Sequence, residues 1–140
     1  MKVGKLEMCD KVHMVDVLMI EDNPGDVRLV QEALKDTRPM TNLHVASSGE
    51  EAWTFLQQKD QHLHAPRPSL ILLDLNLQGM SGLELLDLLN KKDNLRSIPV
   101  VVLTSSAAVS DVLAAYEHHA NCYVTKPATL ESFLNVVRKL

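Results

Sequence analysis

The 140-residue chain is the size of one domain around one hydrophobic core, with 46% hydrophobic and 23% charged residues in an ordinary globular balance. A net charge of −4 argues against non-specific nucleic-acid binding, which needs a basic surface to displace counterions. No apolar run approaches a membrane span, and Glu7, Asp10 and Lys11 interrupt any stretch resembling a signal peptide, so a cytoplasmic location is expected.

Residues 1–14 are mixed in charge and lack periodicity, so they are expected to form an extension outside a domain spanning residues 15–140. The apolar run Val15–Ile20 predicts a first strand, and residues 26–36 predict a helix with Val27, Val30 and Leu34 on one face. A second strand is expected over residues 43–46. Ser48 can cap a helix over residues 50–58, and a polar loop then runs through Pro66 and Pro68. Leu70–Leu73 does not alternate, so it reads as a third strand buried on both faces.

A leucine-rich helix is predicted over residues 82–90, too short to sustain the heptads of a zipper. A fourth strand follows over residues 100–103. Val109, Val112, Leu113 and Tyr116 mark the apolar face of a fourth helix, and residues 121–125 form a fifth strand in which Cys122 is expected to be buried. Leu130, Phe133, Leu134 and Val137 are spaced for a final helix. Cys9 and Cys122 have neither zinc nor disulfide-framework spacing. His62 and His64 lie in a loop, His118 and His119 point to different sides of a helix, and all four are expected in solvent. Trp53 is expected in or beside the core.

Strands alternating with helices imply an α/β fold, a parallel sheet with helices on both faces. In such sheets ligands bind beyond the carboxyl ends of the strands. Those ends carry Glu21 and Asp22, then Asp74, then Thr104, Ser105 and Ser106, then Lys126 and Pro127. One acidic residue after a strand is usually a solvated turn residue or a cap. Three together are another matter, since two carboxylates ~4 Å apart repel by about 4 kcal/mol at an effective dielectric near 20. Lys126 and a hard divalent cation with oxygen ligands would make the cluster tolerable, and Mg²⁺ is the natural candidate.

The segments Met19-Ile20-Glu21-Asp22-Asn23, Leu72-Leu73-Asp74-Leu75-Asn76, Val102-Leu103-Thr104-Ser105 and Tyr123-Val124-Thr125-Lys126-Pro127 stand in this order at the ends of strands one, three, four and five. As a set they resemble the receiver domain of two-component response regulators, over about residues 15–140. The stretch Asn23-Pro24-Gly25-Asp26-Val27-Arg28-Leu29-Val30 and the run Ala120-Asn121-Cys122-Tyr123 are similar to stand-alone receivers that partner cyanobacterial phytochromes.

The resemblance implies a flavodoxin-like doubly wound (βα)5 fold with sheet order 2-1-3-4-5. It implies that Asp74 accepts a phosphoryl group from a phosphohistidine of a sensor histidine kinase, of phytochrome type in the narrower likeness. Asp22, Asp74 and the carbonyl of Asn76 would bind Mg²⁺ or Mn²⁺, with Glu21 assisting through a water or by orienting the residues that bind the ion. Thr104 and Lys126 would hold phosphoryl oxygens, and Thr104 with Tyr123 would form the switch. The Lys126–Pro127 bond is expected to be cis. A homodimer through the fourth helix, fifth strand and fifth helix is a further implication, and the chain is expected to signal rather than act as an enzyme.

The family usually has a proline four residues after the acceptor, where this chain has Gln78; Gly79 and Gly82 can supply the turn conformations instead. Asn76 and Ser106 lie where the family tunes phosphoryl lifetime. A flavodoxin-like cofactor binder would not place Glu21, Asp22 and Asp26 in its phosphate loop. An aspartyl phosphatase would need an acid where Asn76 stands. The remaining rival is a receiver-like interaction module without phosphotransfer.

Overall fold

All four residues of Leu70–Leu73 and all five of Val100–Thr104 are buried, and strands with no solvated face must be covered from both sides. The computed structural model describes residues 14–35, 40–105 and 108–125. The sequence readings for residues 1–13, Ser106, Lys126, Pro127 with its peptide bond, and the final helix lie outside these.

The described residues run β1 (Val15–Ile20), α1 (Pro24–Leu34), β2 (Thr41–Ala46), α2 (Gly49–Leu56), a 3-10 turn (Asp60–His62), β3 (Leu70–Leu73), α3 (Gly82–Lys91), β4 (Val100–Thr104), α4 (Val109–Glu117) and β5 (Cys122–Thr125). The strands form one parallel sheet in the order β2-β1-β3-β4-β5, which is the expected doubly wound arrangement.

Strand alternation divides the apolar side chains between two faces. Leu18, Ile20, Ile71, Leu73 and Val102 pack with Phe55 of α2, Leu85 and Leu89 of α3 and Ala115 of α4. Val17, Met19, Leu72, Val101 and Leu103 face the other way, against Val30, Ala33 and Leu34 of α1. Each large aliphatic side chain buried in this way contributes about 1.5–3 kcal/mol of transfer free energy. Trp53 packs partly buried against the first of these clusters.

Side-chain caps begin the helices close behind the strands. The Asn23 side chain accepts from the Gly25 and Asp26 amides, and Pro24 occupies the first turn, so α1 starts two residues earlier than expected. Ser48 accepts from the Glu51 amide at 3.0 Å, and Ser81 accepts from the Glu84 amide at 3.2 Å. At its far end α2 stops at Leu56, short of the expected residue 58, because Gln58 turns into the left-handed region at φ 56°. β2 is longer than expected, since its first two residues pair with Val15 and Asp16.

The structure corrects the reading of α4. Val109, Leu113 and Tyr116 are 72%, 56% and 47% exposed, and the helix buries Ala115 instead. Positions 112 and 115 share a face on helical spacing, so the small alanine faces the sheet and the larger apolar stripe beside it faces out. His118 and His119 follow this helix rather than lying on it, with His119 left-handed at φ 75°. Cys122 is half-buried rather than buried.

Urea unfolding should separate the two kinds of leucine. Leu85→Ala, at a fully buried site, should cost about 2–5 kcal/mol. Leu113→Ala should stay within about 0.5 kcal/mol of the parent, and comparable losses for both would show that α4 buries its larger stripe after all.

Candidate functional site

Parallel pairing sets Ile20 beside Leu73, so the residues that follow, Glu21 and Asp74, emerge together at one edge of the sheet. Both are still held by the ladder: the Asp74 amide donates to the Ile20 carbonyl at 3.1 Å and the Glu21 amide to the Ala46 carbonyl at 3.0 Å. Glu21 is 2% exposed and Asp74 7% exposed, whereas Asp22 is open to solvent. One carboxylate oxygen from each of the three lies within 4.8 Å of the others.

Like charges about 5 Å apart repel by about 3 kcal/mol at an effective dielectric near 20. Two amides offset part of this, Asn23 donating to Glu21 Oε2 at 3.3 Å and Asn76 to Asp74 Oδ1 at 3.1 Å. The rest calls for a cation. An all-oxygen donor set with two buried carboxylates suits a hard divalent ion.

Thr104 ends β4 and is fully buried. Its hydroxyl oxygen accepts from the Asn76 side-chain amide at 3.4 Å. Tyr123 pairs with Val102, two residues before Thr104, and packs partly buried against the α2–α3–α4 side of the sheet. Tyr123 and Thr104 therefore share one sheet face.

A cleft of about 350 Å³ lies over the cluster, lined by Glu21, Asp22, Asn23, Asp26, Asp74, Asn76 and Ser105. The sequence reading brought Glu21, Asp22, Asp74, Asn76 and Thr104 to this edge, and they meet here. It missed Asn23, whose position before a proline was the available signal for a helix cap. The floor is crowded: a Cβ on Gly82 would sit 2.7 Å from the Asp74 carbonyl oxygen and 2.7 Å from Leu75 Cα. Only a glycine lets α3 start so close beneath the acidic loop.

Among the described residues no histidine takes part in this cluster, but two of those expected in solvent have structural partners. The His62 ring lies 5.2 Å from Phe55, which also meets His44 at 5.4 Å. His44 in turn contacts Asp16 Oδ1 at 3.0 Å. His118 Nδ1 is hydrogen-bonded to Asp87. His64 and His119 are exposed as expected.

Residues 17–138 match the family model of the response regulator receiver domain. The chain belongs to that family. The receiver is 44% identical over 122 residues to the response regulator Rcp1 of Synechocystis sp., covering 87% of this chain and 83% of that protein. Its fold is similar to the crystal structure of the phosphorylated cyanobacterial phytochrome response regulator RcpA, with a TM-score of 0.81, 38% identity and 90% of each chain covered. It is also similar to the Mn²⁺-bound form of Rcp1, with a TM-score of 0.80, 43% identity and coverage of 89% of this chain and 90% of that one. The narrower resemblance to the response regulators of cyanobacterial phytochromes thus holds as homology.

If the three carboxylates of the receiver repel as their spacing requires, Asp22→Asn should stabilise the protein in metal-free buffer. A gain of about 1 kcal/mol is expected, well below the Coulomb figure because Asp22 is solvated. Urea unfolding in the presence of a chelator measures it, and a loss of stability would contradict the charge argument.

Proposed function

We propose that this receiver takes a phosphoryl group onto Asp74 from a phosphohistidine of a sensor histidine kinase and thereby alters a surface read by partner proteins. The observation that carries the proposal is the meeting of Glu21, Asp22 and Asp74 within 4.8 Å at the sheet edge that also carries Thr104. An interaction module without phosphotransfer has no use for two buried carboxylates that repel each other.

In this proposal Asp22, Asp74 and the backbone carbonyl of Asn76 hold a divalent cation, Mg²⁺ or Mn²⁺, and Glu21 orients it through water. Support comes from the all-oxygen donor set and from the Mn²⁺-bound form of Rcp1. Such an ion supplies charge neutralisation for a phosphoryl group in transfer. The chain's own residues do the rest. An Asp74 carboxylate oxygen attacks phosphorus in line, the phosphorus–nitrogen bond to the kinase histidine breaks, and the imidazole leaves with that electron pair. The Thr104 hydroxyl donates to one phosphoryl oxygen and the Lys126 ammonium pairs with another. Catalysis here is positioning and electrostatics, so the domain promotes its own phosphorylation and dephosphorylation without being an enzyme in the usual sense.

Switching begins when Thr104 turns towards the new phosphoryl group. Its contact with Asn76 breaks, and Tyr123, on the same sheet face, moves into the space vacated. The change reaches α4, β5 and the helix expected from Leu130, Phe133, Leu134 and Val137, and the exposed Val109, Leu113 and Tyr116 of α4 favour a homodimer through this surface. The kinase is of phytochrome type in this reading, on the strength of the likeness to Rcp1 and RcpA. We assign residues 15–140 to the receiver and residues 1–14 to an extension, in a cytoplasmic protein that does not bind nucleic acid. No helix of the described residues is long and apolar enough to cross a membrane.

Incubation with Mg²⁺ and acetyl phosphate, followed by intact-mass spectrometry, tests the acceptor. The parent protein should gain one base-labile phosphoryl group, whereas Asp74→Asn or added chelator should give none. Equal labelling of parent and variant would move the acceptor elsewhere. Light scattering tests the dimer: phosphorylated protein should show a concentration-dependent rise in mass that Leu113→Asp removes, and a monomer throughout would rule that interface out.

A further inference from the structure

The proposed chemistry leaves one carboxylate unused that nonetheless reaches the acceptor loop from another helix. Glu50, in the first turn of α2, accepts a hydrogen bond from the Met80 amide at 2.9 Å. Gly79 beside it stands at φ +76°, and a Cβ there would lie 2.8 Å from Glu50 Oε2 and 3.2 Å from Oε1. On the α2 side, a Cβ on Gly49 would come within 3.0 Å of Met80 Cβ and of the Met80 carbonyl oxygen. A glycine on each partner therefore lets the loop and the helix start close together around a carboxylate.

Both sides of this contact are firmly based. Ser48 caps the Glu51 amide at 3.0 Å, and Glu51 Oε1 accepts from the Ser47 amide at 2.8 Å, so the first turn is tied to both residues that precede it. A carboxylate also suits the amino end of a helix dipole. The loop is tied upstream by the Asn76 amide on Asp74 and by buried Leu77, and downstream by the Ser81 cap. Between these ties, the bond to Glu50 is the one hydrogen bond that residues 77–80 make to another element among the described residues. Position 78 has no proline ring to restrict the backbone, so between these ties a contact from another element adds restraint that the loop's own residues do not supply.

We infer that Glu50 is a positioning residue of the receiver, clasping the β3–α3 loop at Gly79–Met80 and so holding Asp74 and Asn76 in their cation-binding and phosphoryl-accepting arrangement. The inference rests on the function proposed above, but the clasp itself can be tested without it.

Amide hydrogen exchange by NMR on metal-free protein should show the Met80 amide exchanging about tenfold faster in Glu50→Ala. Glu50→Gln, which keeps an accepting oxygen, should stay within about twofold of the parent. Calorimetry should give Mg²⁺ binding roughly 3- to 10-fold weaker in Glu50→Ala, with the melting temperature lowered by no more than about 5 °C, so that the domain stays folded. Gly79→Ala should cost less stability in the Glu50→Ala background than in the parent, since the carboxylate it would strike is gone.

An unchanged Met80 amide in Glu50→Ala overturns the clasp. Faster exchange with unchanged Mg²⁺ affinity overturns its link to the site. A parent protein that neither binds Mg²⁺ nor gains a phosphoryl group counts instead against the proposed function, and the exchange comparison still decides whether the clasp exists.

Discussion

Asp74 is held beside the acidic pair Glu21 and Asp22, from which it would separate in an unfolded chain, and the pairing of β1 with β3 is what holds it there. The constraint is geometric. With Ile20 fixed beside Leu73, Glu21 and Asp74 have no choice but to emerge as neighbours, and Asp22 follows. A slip of one residue in either strand would turn its side chains to the opposite face, parting the carboxylates and mispacking the apolar layers on both sides of the sheet together. The energy that keeps the charges close is therefore the energy of the apolar core. Val17 to Ile20 and Leu70 to Leu73 are all buried, and the like-charge repulsion is small beside the cost of disrupting them.

What surrounds the cluster refines this constraint. Asn23, Ser48 and Ser81 each stop a loop and start a helix, so short segments connect sheet to helix at the edge where the chemistry is proposed. Gly82 lets α3 approach the acidic loop, while Glu50 reaches that loop from α2. The buried Thr104 hydroxyl meets the Asn76 amide across the loop from Asp74. Loop and sheet are thus joined around the proposed acceptor by contacts a few ångströms long, each made by a side chain from a different element.

Most of this architecture was legible in the residues themselves. Runs such as Leu70–Leu73 announce a strand with two buried faces, and the acids and hydroxyls that follow the strands could be brought to one edge by topology alone. The α4 face was misread because its apolar positions cover more of the helix than one face can bury. Periodicity identifies an apolar stripe, and only packing shows that Ala115 rather than Leu113 turns inward. The helix start at Pro24 was missed by giving the apolar period precedence over the cap. His62 was read as solvated because its ring partner, Phe55, lies in a different element. Glu50 carries no local signature, since the amide it meets is thirty residues away and depends on a glycine conformation that no motif records. The readings of Lys126 and the final helix fall outside the described residues.

The cleft has two unlike walls. Glu21 and Asp74 are continuations of strands whose amides still belong to the ladder, so that wall can shift only if the centre of the sheet shifts with it. Asn76 and Ser105 sit on loop backbone beyond the last rungs, and Asn76 is placed by contacts of another kind, its amide on Asp74 Oδ1 and its side chain on the Thr104 hydroxyl. An entering group therefore meets an anvil forged by the sheet on one side and, on the other, a wall whose shape depends on a few individual bonds. A single substitution can deform the second wall, while the spacing of the two buried acids is set by the strands.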